Sequence, residues 1–354
     1  MIENNVMIFG ITGQDGSYLA VHLSKLGYNV IGVRRSTSTD NLSNLRRVQV
    51  LESFDCLLNK IKLEHGDVTD PISVSTLISR YKPYKIFNLA AQSHVGISFE
   101  TPLLTANVDG IGTLNILEAI KMHSPKSRFY QASTSELFGG QSKMKLDENS
   151  IFDPRSPYAA AKMYAYNITK IYRNAYQLYS VNGILFNHES PLRGKHFVTQ
   201  KIINGLVKKV FSDKSVTLKL GNIYSARDWG HARDYVKAMN LMLDQEDPED
   251  LVIGTGVVAS VKEFCELVSS KLGIRNFEWR GEGLNEKLFW LDTGYDNAAI
   301  AIDPLYFRPL EVNHLDANPE YAIKKLTWKP ECNLETLVDE MLAEVKHEHI
   351  QTTL

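Results

Sequence analysis

The sequence predicts an α/β protein: a doubly wound parallel sheet with a smaller, interleaved C-terminal lobe. Three observations carry that expectation. Short apolar runs alternate with helix-length segments through the first half of the chain, and the first run, Val6-Met7-Ile8-Phe9, stops at a turn with glycines at 10, 13 and 16. From Lys195 onward the even β-α rhythm loosens. Alternating strands and helices favour parallel pairing through right-handed crossovers, and such sheets bind ligands beyond the C-terminal ends of their strands.

The elements follow in order. After the glycine turn, Leu19, Val21, Leu23 and Leu26 sketch an apolar helix face that Gly27 closes as a C-terminal cap. Strand, glycine turn and helix form the context of a Rossmann-type dinucleotide site. Glycines allow a tight turn, and pyrophosphate can approach the amides at the positive end of the helix dipole. The spelling here is Gly-x-x-Gly-x-x-Gly. Residues 29–33 read as the second strand, ending in Arg34-Arg35-Ser36. An acidic residue there would hold ribose hydroxyls, whereas arginines suit a 2′-phosphate, so NADP is expected rather than NAD. Residues 61–64 and 85–91 read as further strands, leading into Gly66-Asp67 and Ala91-Gln92-Ser93-His94. Residues 71–81 and 101–122 suit crossover helices, and residues 127–133 a fifth strand. Gly10, Arg34, Asp67, Ala90 and Thr134 thus share one edge of the sheet.

The fifth strand runs out into Ser133-Thr134-Ser135-Glu136, and Pro157 stands where a helix would begin. On that helix Tyr158 and Lys162 are four apart and share a face. A nearby ammonium favours the phenolate that a proton-accepting Tyr needs. The spacing recurs at Tyr81, Tyr166 and Tyr321, which read as helix-surface or loop residues; context singles out Tyr158.

Residues 181–186 read as another strand, leading into Asn187 and His188. No second histidine or cysteine stands at metal-ligand spacing from His188, so a hydrogen-bonding role is expected and no metal site. Residues 197–211, 231–243 and 261–272 suit helices, and residues 217–220 and 251–253 suit strands. The division expected is 1–186 for the dinucleotide domain, with later segments returning to it, and 187–354 for most of the substrate lobe. The chain shows neither internal repeats nor low-complexity segments. A net charge of -2 over 354 residues offers no field for nucleic acid. The three cysteines, Cys56, Cys265 and Cys332, suggest buried free thiols. The N-terminus lacks a basic segment before its apolar run, and no apolar run is long enough to span a bilayer, so the cytoplasm is expected.

Longer blocks carry a closer resemblance. Gly10-Ile11-Thr12-Gly13-Gln14-Asp15-Gly16-Ser17-Tyr18, Asn88-Leu89-Ala90-Ala91-Gln92-Ser93-His94-Val95, Gln131-Ala132-Ser133-Thr134-Ser135-Glu136-Leu137, Arg155-Ser156-Pro157-Tyr158-Ala159, Asn187-His188-Glu189-Ser190-Pro191, Arg227-Asp228-Trp229-Gly230-His231 and Tyr306-Phe307-Arg308-Pro309 lie along the chain. Together they resemble the extended short-chain dehydrogenase/reductase family, and within it the GDP-mannose 4,6-dehydratases, over nearly the whole chain.

The resemblance implies a redox-neutral dehydration with tightly held NADP. Tyr158 would take the proton of the sugar 4-hydroxyl, Lys162 would hold the nicotinamide ribose and favour phenolate, and Thr134 would hydrogen-bond the reacting oxygen. Glu136 would remove the C5 proton and protonate the departing C6 hydroxyl. Cofactor contacts are implied for Gly10, Gly13, Gln14, Asp15, Gly16, Arg34, Arg35, Asp67, Val68, Ala90, Gln92, Tyr158, Lys162, His188 and Arg193. Contacts to a GDP-sugar are implied for Ser93, Asn187, Lys201, Arg227, Arg308 and Glu311, and a homo-oligomer, dimer or tetramer, is expected. The chain departs from the family pattern at Leu104, Asn167, Asn240 and Asn318. Those departures leave GDP-D-glycero-D-manno-heptose open as an alternative sugar, while a 4-epimerase or 4-reductase on the same fold would need no base at C5.

Overall fold

The computed structural model describes residues 2–140 and 144–353. Its central feature is a sheet of seven parallel strands. The first five are β1 (Ile2–Phe9), β2 (Asn29–Arg34), β3 (Lys62–His65), β4 (Pro83–Asn88) and β5 (Arg128–Ala132). With strands Ser180–Leu185 and Leu251–Ile253 they take the spatial order Leu251–Ile253, Ser180–Leu185, β5, β4, β1, β2, β3. The order reverses at β1, which opens a crevice there.

Burial on both faces explains the continuous apolar strands. In β1, Val6 and Ile8 face one side and join a core with Leu19 and Leu23 of helix α1 (Gln14–Lys25) and Val236 and Met239 of helix Ala232–Met242. Met7 and Phe9 face the other side and pack with Val74 and Ile78 of helix Pro71–Tyr81 and Ile116 and Ile120 of helix Gly112–His123. Each fully buried side chain of this size contributes roughly 1.5–3 kcal/mol.

The rest of the chain builds a second lobe. A four-stranded sheet of Phe277–Arg280, Lys287–Trp290, Ile300–Ile302 and Leu218–Leu220 shares a core with helices Val198–Phe211, Val261–Lys271 and Leu334–Thr353. Between the lobes Ala226–His231 pairs with Val258–Ser260, His314–Ala317 and Asn187–Glu189. The chain crosses in both directions: Lys145–Leu146 joins this small sheet, while Ala232–Met242 and Leu251–Ile253 return to the large one.

Three expectations need correction. The segment 101–122 is not one helix, because a π-helical turn, Ala106–Ile111, separates Pro102–Thr105 from Gly112–His123. Of the cysteines only Cys265 is buried, with Cys332 intermediate and Cys56 exposed. Among the other Tyr-x-x-x-Lys pairs, Tyr166 belongs to a buried aromatic cluster with Phe152, and Lys85 is fully buried on β4. Only Tyr321 is exposed as expected, since residues at that spacing reach the surface only where nothing packs over their helix face.

Candidate active site

The dinucleotide wall begins where β1 ends. Gly10 has φ +84°, and a Cβ there would lie 2.8 Å from the backbone nitrogen of Ala90. Gly16, in the first turn of α1, would place a Cβ 2.6 Å from the Cα of Ile11. Side chains at either position would fill the turn. Helix α1 starts at Gly13 with no side chain capping it, so its first amides stay available to an anion.

Behind the turn Asp15 Oδ2 lies 2.8 Å from His188 Nε2, and His188 Nδ1 lies 2.8 Å from the Phe186 carbonyl oxygen. Burial alone would raise the Asp15 carboxyl, but the imidazole outweighs it and the pKa is lowered. Burial likewise opposes the imidazolium, yet Asp15 raises His188 above its usual value. Gln14 ties the two loops together, donating to the His188 carbonyl oxygen at 3.1 Å and accepting from Ser190 Oγ at 2.7 Å. At the end of β2, Arg34 donates to Asn41 Oδ1 at 2.9 Å while its Nε is buried without a partner, and Arg35 is exposed. A cradle that a Cβ would fill, an uncapped helix start and an unpartnered guanidinium N–H fit a dinucleotide.

Two short elements bring the reacting groups together. Thr134 caps the 3₁₀ turn Ser135–Phe138 by accepting from the Glu136 amide at 3.2 Å. Ser156 caps helix Pro157–Tyr176 by accepting from the Ala159 amide at 3.1 Å, with Pro157 in the first turn. These caps set Thr134, Glu136, Tyr158 and Lys162 around one cleft, 8%, 8%, 8% and 3% exposed. Lys162 donates to the Ala132 carbonyl oxygen at 3.1 Å, and its ammonium lies 5.8 Å from the centre of the Tyr158 ring. The expected lowering of the phenol is not what this geometry yields. Burial raises the Tyr158 pKa, Asp109 adds to the rise, and the Thr134 hydroxyl offsets part of it. Lys162 is itself pushed down by burial.

The opposite wall is cationic. Arg227, 6% exposed, donates to the carbonyl oxygens of Ala226 and Val312 at 2.9 and 2.7 Å. Arg308 Nη1 stands 3.7 Å from Glu136 Oε1 and 4.0 Å from Glu311 Oε1, buried without a hydrogen-bond partner. Lys201 sits over the Tyr306 ring at 3.1 Å, and burial lowers its pKa to about 8. Arg193 pairs with Glu189 at 2.9 Å and stacks on Phe197.

These walls enclose a cleft of about 790 Å³. Of the residues singled out in the sequence, it brings together Gly10, Gly13, Gln14, Asp15, Gly16, Ser93, Thr134, Glu136, Tyr158, Lys162, Asn187, His188, Arg193, Lys201, Arg227, Arg308 and Glu311. Arg34, Arg35, Asp67, Val68, Ala90 and Gln92 do not line it. Asp67 accepts from Thr69, the Val68 carbonyl oxygen accepts from Asn115, and Gln92 accepts from the His94 amide. Sequence reasoning missed Ser133 and Ser225, whose buried hydroxyls lack partners. Ser133 stood inside a recognised block, whereas no signal marked Ser225.

None of Leu104, Asn167, Asn240 and Asn318 lines the cleft. Leu104 is half-exposed, Asn167 bonds its own helix at Met163, Asn240 accepts from Lys85 beneath the sheet, and the Asn318 amide donates to Leu146. Such remote positions carry no argument about the sugar.

The GDP-mannose 4,6 dehydratase family profile matches residues 7–341. The chain belongs to that family. The GDP-mannose 4,6-dehydratase of Vibrio cholerae is 46% identical, over 97% of this chain and 94% of its own. The GDP-mannose 4,6 dehydratase of Homo sapiens is 46% identical, over 96% and 91%. Family membership places the chain among the nucleotide-sugar dehydratases, hydro-lyases that work with a nicotinamide cofactor. Among solved structures, the UDP-glucose 4-epimerase of Thermotoga maritima has a TM-score of 0.79 at 23% identity, covering 98% of this chain and 99% of its own. The dTDP-glucose 4,6-dehydratase of Bacillus anthracis, solved with NAD, has a TM-score of 0.77 at 22% identity, covering 98% and 97%. Those two likenesses speak for the Rossmann-type fold that GDP-mannose 4,6-dehydratases share with them.

Proposed function

We propose that the chain catalyses NADP-dependent 4,6-dehydration of GDP-mannose to the 4-keto-6-deoxy sugar nucleotide. The observation that carries this reading is Glu136 in the same cleft as Thr134, Tyr158 and Lys162, because a carboxylate beside the Tyr is what dehydration needs and epimerisation does not. Arg227, Arg308 and Lys201 suit the diphosphate, and Arg34 with Arg35 suits the 2′-phosphate that distinguishes NADP.

The bound nicotinamide supplies hydride acceptance from C4 and return of the same hydride to C6. Tyr158 takes the proton of the 4-hydroxyl, and Thr134 holds that oxygen. The C4 carbonyl acidifies the C5 proton. Glu136 removes that proton and passes it to the C6 hydroxyl, which leaves as water; as hydride returns to C6, the proton held by Tyr158 goes to C5, which restores the base. Lys162, its ammonium 5.8 Å from the centre of the Tyr158 ring, would hold the nicotinamide ribose. Exposed Leu103, Leu104, Ile111, Tyr164 and Ile171 suit a contact between copies in a homo-oligomer.

The test gives the purified chain GDP-mannose and GDP-D-glycero-D-manno-heptose, separately and in competition, and reads product mass. Loss of one water from GDP-mannose is expected, with preference for it over the heptose. No loss from either overturns the reading, and an isomer retaining its C6 oxygen points to a 4-epimerase instead. Glu136→Gln and Tyr158→Phe should each lower turnover by about 10²–10⁴-fold with NADP binding retained.

A further inference from the structure

Two groups on the dinucleotide wall form a pair that the chemistry above does not use. His188 sits on the short strand Asn187–Glu189, and Asp15 stands in the first turn of α1. Both ring nitrogens of His188 face oxygens that can only accept a hydrogen bond: Nδ1 lies 2.8 Å from the Phe186 carbonyl oxygen and Nε2 lies 2.8 Å from Asp15 Oδ2. A neutral imidazole carries one N–H and leaves one of these contacts without a hydrogen, whereas the imidazolium fills both. The geometry is that of a cation. Its neighbours hold it there: the ring stacks on Tyr235 with centroids 4.6 Å apart, and Gln14 donates to Asp15 Oδ1 at 2.9 Å and to the His188 carbonyl oxygen at 3.1 Å. The His188 and Asp15 side chains are 11% and 21% exposed, and both line the cleft.

The uncapped amides at the start of α1 attract an anion, yet a bare carboxylate in that same turn would repel a pyrophosphate. We propose that the His188 imidazolium is the fixed counter-ion of Asp15 and a positioning residue for the dinucleotide, neutralising the turn against which the pyrophosphate binds. The other charged or titratable groups facing the pair are Glu189 on the same strand, Arg193 in the loop after it, Tyr235 from helix Ala232–Met242, Lys162 from helix Pro157–Tyr176 and Tyr130 from β5. Burial opposes the imidazolium, and Asp15 outweighs it and raises His188. Burial also opposes the carboxylate, and His188 outweighs it and lowers Asp15. The pair is complete between the two values. It is lost as pH rises through the raised value of His188, which leaves Asp15 bare beside the dinucleotide.

Ring-nitrogen NMR of the purified chain, labelled at histidine and assigned with His188→Gln, reads the protons on His188 without turnover. At about one pH unit above the ordinary histidine value, both nitrogens should carry protons. Asp15→Asn keeps an acceptor for Nε2 and discards the charge, so there the ring should be neutral at the same pH. Binding and protonation are coupled reciprocally, so NADP affinity, read by calorimetry, should fall by about tenfold as His188 loses its proton. His188→Gln keeps a donor toward Asp15 without a titrating ring, and its affinity should lack that fall. A purely structural role would leave the affinity of the native chain flat over the same range. A neutral ring in the native chain, the same protonation in Asp15→Asn, or a fall that survives in His188→Gln overturns the counter-ion. The pair is read without a sugar nucleotide, so a chain that dehydrates none would count against the proposed function alone.

Discussion

Two clefts open at opposite ends of the same sheet, and the larger one is not the one that gathers Thr134, Glu136, Tyr158 and Lys162. The lower cleft, about 1070 Å³, lies by the strand N-termini and is lined by Asn4, His22, Tyr28, Tyr84, Lys237, Asn240, Asp244 and Trp328. Beneath it Lys85, 0% exposed, donates to Tyr28, Asn240 and Asp244 at 3.1, 2.8 and 2.5 Å, and Lys237 pairs with Glu331 at 2.6 Å. His22 Nε2 is buried without a partner, but burial and then Lys237 lower that imidazole to about 4 and keep it neutral. In the upper cleft Arg308 Nη1, Ser133 and Ser225 lack hydrogen-bond partners, and burial lowers Lys201 to about 8. Satisfied charge holds the lower cleft together. Unsatisfied charge prepares the upper one for a ligand, and volume separates the two poorly.

The strongest way to break this contrast is at the upper turn. Gly16→Ala puts a methyl against the Gly10 carbonyl oxygen and the Ile11 backbone, so the turn must shift. A displacement of about 1 Å at a positioning element can cost roughly 10²-fold in rate, so turnover should fall by about that much, and affinity for the nicotinamide dinucleotide, read by calorimetry, should fall with it. Near-native affinity would show that the turn yields and that the cradle is not preformed.

The complementary substitution lies in the lower cleft. Asn240→Ala removes one acceptor from a fully buried ammonium, leaving Tyr28 and Asp244. The loss should lower stability by about 1–3 kcal/mol, read from the urea midpoint. kcat/KM for GDP-mannose should stay within about twofold. A large kinetic change with unaltered stability would reverse the roles assigned to the two ends.

Much of this was legible in the sequence, and the reasons are physical. Strands buried on both faces must be apolar throughout, so the central sheet could be read from its runs, and strand 251–253 has the expected bounds. Glycines forced by close backbone approach marked the turn at Gly10 and Gly16. The caps Thr134 and Ser156 sat inside recognisable blocks. What stayed hidden depends on contacts distant in sequence. Asp15 and His188 are 173 residues apart, and nothing local announces that they meet. The π turn follows no simple hydrophobic period, so nothing set residues 106–111 apart from the helix expected over 101–122. The short strands of the second lobe draw their stability from packing on Trp290, Phe264 and Met341, which no single window of sequence contains.

Lys201 offers the subtlest test of the contrast, because its charge changes within a convenient pH range. Burial lowers its pKa to about 8, with Asp303 opposing the fall, so below that pH the amine is protonated and above it neutral. An anionic diphosphate binds the protonated form, so the KM for GDP-mannose should rise as pH climbs through about 8. A severalfold rise, about fivefold between pH 8 and pH 9, is the expected size for a half-buried cation. Lys201→Met should raise KM at neutral pH and flatten the rise. The lower cleft predicts nothing comparable, since Lys85 and Lys237 already have carboxylate partners. If the rise in KM survived in Lys201→Met, the titrating group would lie elsewhere, and the cation over Tyr306 would be as structural as the one beneath the sheet.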